Sequence, residues 1–232
     1  MTLLGAAQIR ELAAQLDLKP SKSLGQNFVI DSNVCTKIVR TAGVTSDDIA
    51  LEIGPGLGSL TLAMLEVAKS VIAVEIDPRL AQQLPLTVAT HFEHPENLTV
   101  INKDALAVHD LPVAPTVLVA NLPYNVSVPV LLHLLEKFPT LRTGVVMVQA
   151  EVADRLAAKP GGKEYGIPSV KAAWWADVKN VGTVSRSIFW PAPNVDSKLV
   201  GFTRRATAGS EESRAKVFTI IDAAFAQRRK ML

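Results

Sequence analysis

Five short runs of nearly unbroken apolar residues recur along the chain: 49–53 (IALEI), 70–76 (SVIAVEI), 98–102 (LTVIN), 116–120 (TVLVA) and 144–149 (GVVMVQ). They are rich in branched residues and too short for helices. Such runs suit strands covered on both faces, as in a parallel sheet. The stretches 59–68, 78–90 and 128–138 between them carry helical patterning. Pro78 fits a first helical turn, with Asp77 before it as the cap. The alternation predicts an α/β fold, Rossmann-like, with a mostly parallel seven-stranded sheet and helices on both faces. Past residue 176 the rhythm changes. DVKNVGTV and SKLVGFT read as two further strands around an irregular loop, which predicts an antiparallel edge strand. The first twenty residues read as an amphipathic helix, without the basic head and apolar core of a signal peptide.

Composition narrows the class. The chain has 232 residues, 48% hydrophobic and 20% charged, as expected of a soluble globular protein. No apolar stretch is long enough to span a membrane. The one cysteine, Cys35, rules out an internal disulfide framework and fits a reducing cytoplasm. His91 and His94 stand three apart with no further ligand nearby in sequence, so no metal site is expected.

The formal net charge of +2 conceals an asymmetry. Residues 51–120 hold three basic residues against eight acidic ones; residues 204–232 hold seven basic against three acidic. The acidic third suits a small ligand, cationic rather than a polyphosphate. The basic end suits a nucleic-acid backbone, or is simply a solvated face.

Four features fall at carboxyl ends of predicted strands, where open α/β sheets bind ligands. The first is Glu52-Ile53-Gly54-Pro55-Gly56-Leu57-Gly58. Its glycines allow a tight turn and close approach to backbone. The spacing is not that of a dinucleotide fingerprint, and no phosphate-binding lysine follows. Alone, it is equally a plain strand–helix turn. The second is Glu75, whose carboxylate can accept from both hydroxyls of a ribose. The third is Asp104, able to accept from an adenine amino group or to cap a helix. The fourth is Asn121-Leu122-Pro123-Tyr124. These residues are poor material for acid–base or nucleophilic catalysis and good material for gripping a planar base. The Asn121 carboxamide oxygen and the Leu122 carbonyl can each accept one amino hydrogen, and Tyr124 can stack on the ring.

EIGPGLG, VEID, KDAL and NLPYN occur in the order and spacing of class I methyltransferases. With SLGQNF (23–28), FWPAPNVDS (189–197) and AFAQRRK (224–230), the chain resembles the KsgA family of ribosomal RNA adenine dimethyltransferases over nearly its whole length. The resemblance implies S-adenosylmethionine as cofactor. Asn27 and Val29 would close over it, Gly54 would meet its methionine part, Glu75 its ribose and Asp104 its adenine. Asn121 would touch cofactor and substrate, and Tyr124 with Phe189 would sandwich the target base. The implied partners are ribosomal RNA and the small ribosomal subunit, met by a cytoplasmic monomer.

Residues 1–203 would form the catalytic domain. Residues 204–232 would begin a helical subdomain that family members continue further. In that basic end Arg228, Arg229 and Lys230 are expected to contact phosphates, although cations near a helix C-terminus also suit its dipole.

Three rivals remain at this stage. A macrolide-resistance methyltransferase acting on large-subunit RNA shares most motifs, but NLPYN leans away from it. An adenine DNA methyltransferase could use Asn-x-Pro-Tyr, but QNF and FWPAPNVDS argue against it. A non-catalytic ribosome-assembly factor could keep the fold, though not for the sake of an intact cofactor constellation.

Overall fold

The structure is a computed structural model and describes residues 2–18, 26–206 and 208–226. In chain order the elements are α1 (Ala6–Gln15), β1 (Phe28–Val29), α2 (Ser32–Ala42), β2 (Ile49–Ile53), α3 (Ser59–Leu65), β3 (Ser70–Glu75), α4 (Pro78–His91), β4 (Leu98–Asn102), β5 (Val117–Asn121), α5 (Ser127–Lys137), β6 (Thr143–Gln149), α6 (Ala150–Leu156), α7 (Ile167–Ala172), β7 (Ala176–Val184), β8 (Phe189–Trp190), β9 (Ser197–Arg204) and α8 (Glu211–Ala226).

Seven strands form one sheet in the order β4-β3-β2-β5-β6-β9-β7. The first five run parallel. The antiparallel edge is a pair of strands: β9 is reversed against both β6 and β7, so the reversed strand lies one place in from the edge. β1 and β8 make a separate two-stranded antiparallel ribbon.

Burial explains why these strands read as continuous apolar runs. Along β3, Val71 and Ala73 join the core on one face of the sheet, while Ile72 and Val74 join the other. Val117 and Val119 of β5 likewise alternate with Leu118 and Ala120. Period-2 alternation thus sends apolar groups into two cores, one under α1–α4 and one under α5–α8. In α1, Ile9 and Ala13 are the buried pair, one turn apart.

Caps set the helix boundaries. Asp31 accepts from the N–H groups of Asn33 and Val34 at the start of α2, and Gly43 ends that helix in the left-handed region. Asp77 accepts from Arg79 N ahead of α4, with Pro78 in the first turn. α8 is held to the sheet domain by aromatic packing: Phe218 meets Trp174 and Trp175 edge-on. No described helix is long and apolar enough to cross a membrane.

Candidate functional site

All five parallel strands end on one side of the sheet, and a cleft of about 930 Å³, partly open to solvent, lies there. Its floor is the turn from β2 to α3. Gly54, Gly56 and Gly58 all have positive φ, at 68°, 59° and 100°. A side chain is strained in that region. Gly56 also lacks room: a Cβ there would lie 3.0 Å from the ring of Phe28. The turn is therefore glycine for conformation and for close packing, and it bares backbone to the cleft.

Two carboxylates stand in the cleft wall. Glu75, at the end of β3, is only 4% exposed. Its Oε1 accepts from Asp77 N at 2.9 Å and its Oε2 from Gly56 N at 3.2 Å. Each carboxylate oxygen has two acceptor positions, so both keep capacity for another donor. Burial raises the Glu75 pKa, and the surrounding backbone N–H groups only partly offset it. Glu52, in β2, is 1% exposed and accepts from Thr61 Oγ1 at 2.6 Å. Burial pushes its pKa up to about 8, with the nearby charge of Glu75 adding to the shift. Asp77 differs: its bonds to Arg79 hold its carboxyl below the usual range.

The far wall comes from the β5 end. Asn121 is the last residue of β5, one further than the hydrophobic run 116–120 predicts. Its Nδ2 donates to Asn27 O at 3.1 Å. That bond fixes which end of the amide is nitrogen and leaves Oδ1 as its acceptor. Leu122 is buried, and its N–H donates to Met147 O at 3.1 Å, which pins the peptide after the strand. Tyr124 is half-buried; its hydroxyl shares a 2.7 Å hydrogen bond with Ser197 Oγ. Burial raises the pKa of that phenol against the effect of the Ser197 bond.

The structure brings Asn27, Val29, Gly54, Glu75, Asp104 and Asn121 together as lining residues of this cleft. Asp104 does two things the sequence left as alternatives: it lines the cleft, and its Oδ1 accepts from Leu106 N as a cap. Leu122 and Tyr124 do not line it, although Pro123 between them does; Leu122 belongs to the core. Phe189 is 3% exposed and packed into the core, and it does not line the cleft. The cause is alternation in β8: Phe189 points inward, and the half-buried Trp190 stacks on Phe28. Arg228, Arg229 and Lys230 lie outside the described residues.

Three contributors had no role assigned from the sequence. Glu52 stood there only as the start of the glycine-rich motif, though a charged residue inside an apolar strand is itself a signal. Ser59, whose Oγ donates to Val29 O at 2.7 Å, and Ser197 act through tertiary bonds that no local pattern signals.

The described cleft holds no cluster of His, Cys, Asp and Glu suited to a metal ion. It offers carboxylate and amide acceptors, exposed glycine backbone and apolar walls; its one lining cation, Lys103, follows β4, and no lysine follows its glycine turn. That set suits an uncharged sugar and base attached to a cationic group better than a polyphosphate.

The family model described as ribosomal RNA adenine dimethylase matches residues 18–232. A ribosomal RNA small subunit methyltransferase A of Leifsonia xyli subsp. xyli is 62% identical, over 100% of this chain and 84% of the relative. One of Streptomyces avermitilis is 59% identical, over 99% of this chain and 79% of the relative. Among solved structures, a dimethyladenosine transferase from Plasmodium falciparum superposes with a TM-score of 0.75 at 30% identity, covering 88% of this chain and 73% of that one. The 23S rRNA methyltransferase ErmE superposes with a TM-score of 0.72 at 29% identity, covering 87% and 80%.

Proposed function

This chain belongs to the ribosomal RNA adenine dimethylase family, and from that premise we propose that its cleft binds S-adenosylmethionine and delivers methyl groups to the exocyclic amino group of adenine in small-subunit ribosomal RNA. The chain is an rRNA-methylating enzyme by family. The choice of subunit rests on relatives at 59–62% identity that are named for the small subunit. The Asn121 amide is the observation that carries the chemical reading. Its nitrogen is committed to Asn27, so its oxygen is available to accept, in the wall of the cleft and one residue before the Leu122 carbonyl.

The cofactor supplies an already activated methyl group on a cationic sulfur. The chain's residues then have three tasks. Glu75 holds the ribose hydroxyls: its plane is fixed by Gly56 and Asp77, and its remaining acceptor positions serve the sugar. Asp104 accepts from the cofactor's adenine amino group, and Gly54 leaves space for the methionine part. Asn27 and Val29 close the cleft from the ribbon side.

Asn121 and Leu122 handle the acceptor. An adenine amino nitrogen is a weak nucleophile because its lone pair is delocalised into the ring. Accepting one hydrogen at Asn121 Oδ1 and the other at the Leu122 carbonyl favours a pyramidal nitrogen, whose lone pair is then localised. Positioning and electrostatics supply the catalysis. Tyr124 stacks on the base, which must leave its helix or lie in a loop to reach it. Stacking of this kind returns about 1–3 kcal/mol. Arg228, Arg229 and Lys230 belong to this reading as phosphate contacts, expected to steepen the salt dependence of binding.

The test is incubation with methyl-labelled S-adenosylmethionine and ribosomal particles, followed by nucleoside analysis of each subunit's RNA. Dimethyladenosine in small-subunit RNA is expected. Label confined to large-subunit RNA, or no label in either, overturns the proposal.

A further inference from the structure

The segment joining β7 to β9 is fastened at both ends, to two different parts of the site. Its first fastening is β8. Phe189 and Trp190 pair with Val29 and Phe28, and Ile30 N donates to Ile188 O at 2.8 Å. β1 is itself cleft wall. The rings of Phe28 and Trp190 are stacked, 6.3 Å between centroids and 23° between planes. The Phe28 ring also lies against Gly56, whose N–H holds Glu75. Ser59 Oγ and Asn121 Nδ2 fix the carbonyls on either side of Phe28, those of Val29 and Asn27.

The second fastening is Ser197. It is buried at the start of β9, and its hydroxyl meets that of Tyr124 at 2.7 Å. Between the fastenings, Arg186 closes the segment on itself, with an ion pair to Asp196 at 3.1 Å and a hydrogen bond to Asn194 O.

We propose that this segment couples the two ligands, and that Trp190 is the positioning residue that carries the effect to the cofactor wall. The inference rests on the reading of the cleft and of Tyr124 given above. A base stacked on Tyr124 bears on the Ser197 end through the shared hydroxyl hydrogen bond. A cofactor behind Phe28 bears on the Trp190 end through the stacked rings. Each ligand then meets a segment that the other already holds in place, so each binds more tightly in the other's presence. By linkage the enhancement is the same in both directions. Trp190 does not line the cleft, so its contribution runs through Phe28 rather than through direct contact.

The experiment is equilibrium dialysis of labelled S-adenosylhomocysteine against the chain, alone and with saturating small-subunit particles that lack the methylation. In the unmutated chain the particles tighten binding by at least about fivefold, the lower end of typical coupling. Trp190→Ala reduces that factor to under about twofold, and affinity without particles changes by less than the coupling does. Trp190→Phe, which keeps a ring for Phe28, restores most of the factor. Ser197→Ala loses it from the other end. A full factor in Trp190→Ala and Ser197→Ala, or no factor in the unmutated chain, overturns the proposal. Failure of the unmutated chain to bind S-adenosylhomocysteine under either condition overturns the cleft reading and the coupling with it. Should Trp190→Ala fail to fold, Trp190→Leu, which keeps apolar bulk without a ring for Phe28, takes its place with the same expected loss.

Discussion

The two ends of the sheet each bury a carboxylate, and they use it in opposite ways. At the amino end, Asp48 is 2% exposed. Its Oδ2 accepts from Thr45 N and Thr45 Oγ1, both at 2.9 Å; its Oδ1 accepts from Thr116 Oγ1 at 2.6 Å and from Arg142 at 2.5 Å. Every acceptor position is filled. Burial opposes ionisation there, but the bonds from Thr116, Thr45 and Arg142 together hold the carboxyl below its usual range. At the carboxyl end, Glu75 has backbone donors and acceptor capacity to spare, and its pKa is raised. A buried acid satisfied by its own fold is a staple. One left under-coordinated at the lip of a cleft is a binding group.

The largest separation between the two ends should come from Asn121→Ala. Losing one oriented acceptor in the transition state is expected to cut single-turnover methylation about 100- to 1000-fold. The unfolding midpoint should stay near that of the unmutated chain. Near-normal turnover would place the chemistry elsewhere. Glu75→Ala comes next. Hydrogen bonds to a charged group contribute about 1.5–3 kcal/mol, so calorimetry should show S-adenosylmethionine affinity falling roughly 10- to 100-fold. Asp48→Ala is the mirror image. It strands buried donors on Thr45 and Thr116 and should lower unfolding free energy by about 1–3 kcal/mol, measured in urea, with cofactor affinity unchanged. A loss of affinity there would erase the contrast.

The smallest effect per step is a pH dependence, and it sharpens the comparison from within the cleft. Glu52 holds its proton to about pH 8 in the folded chain, against an ordinary value of 4.5. Between those values the folded state binds more protons than the unfolded state, so stability is fully present below pH 4.5 and falls as pH rises towards 8. The slope is up to about 1.4 kcal/mol per pH unit. Glu75, also raised, acts in the same direction. Thermal melts of Glu52→Gln across pH 5–8 should be flatter than those of the unmutated chain. Parallel curves would remove Glu52 from the account.

Much of this was legible in the sequence because buried parallel strands are apolar throughout. The runs at 49–53 and 98–102 coincide with β2 and β4, and the others lie within a residue of observed strands. The cleft residues were legible because glycine, carboxylate and amide at strand ends are unusual material for mere packing. What escaped was set by distant partners. α6 and α7 are short helices outside the predicted alternation. α3 stops at Leu65 rather than 68 because the chain must turn into β3 at Ser70. β1 and β8 are two residues each and exist only by pairing across the chain, which no local period announces. Which of the two adjacent aromatics, Phe189 and Trp190, points inward is decided by that same pairing.

The reversal of β9 has a consequence of its own. A strand running against its neighbours begins where they finish, so the polypeptide visits the ligand end of the sheet once more, late in the sequence. Ser197 enters there with β6 on one side and β7 on the other, which anchors the junction from both flanks. Between those junctions the chain leaves the sheet, and β8 pairs instead with β1 at the cleft wall. The late return thus ties residues from the two ends of the sequence into one wall.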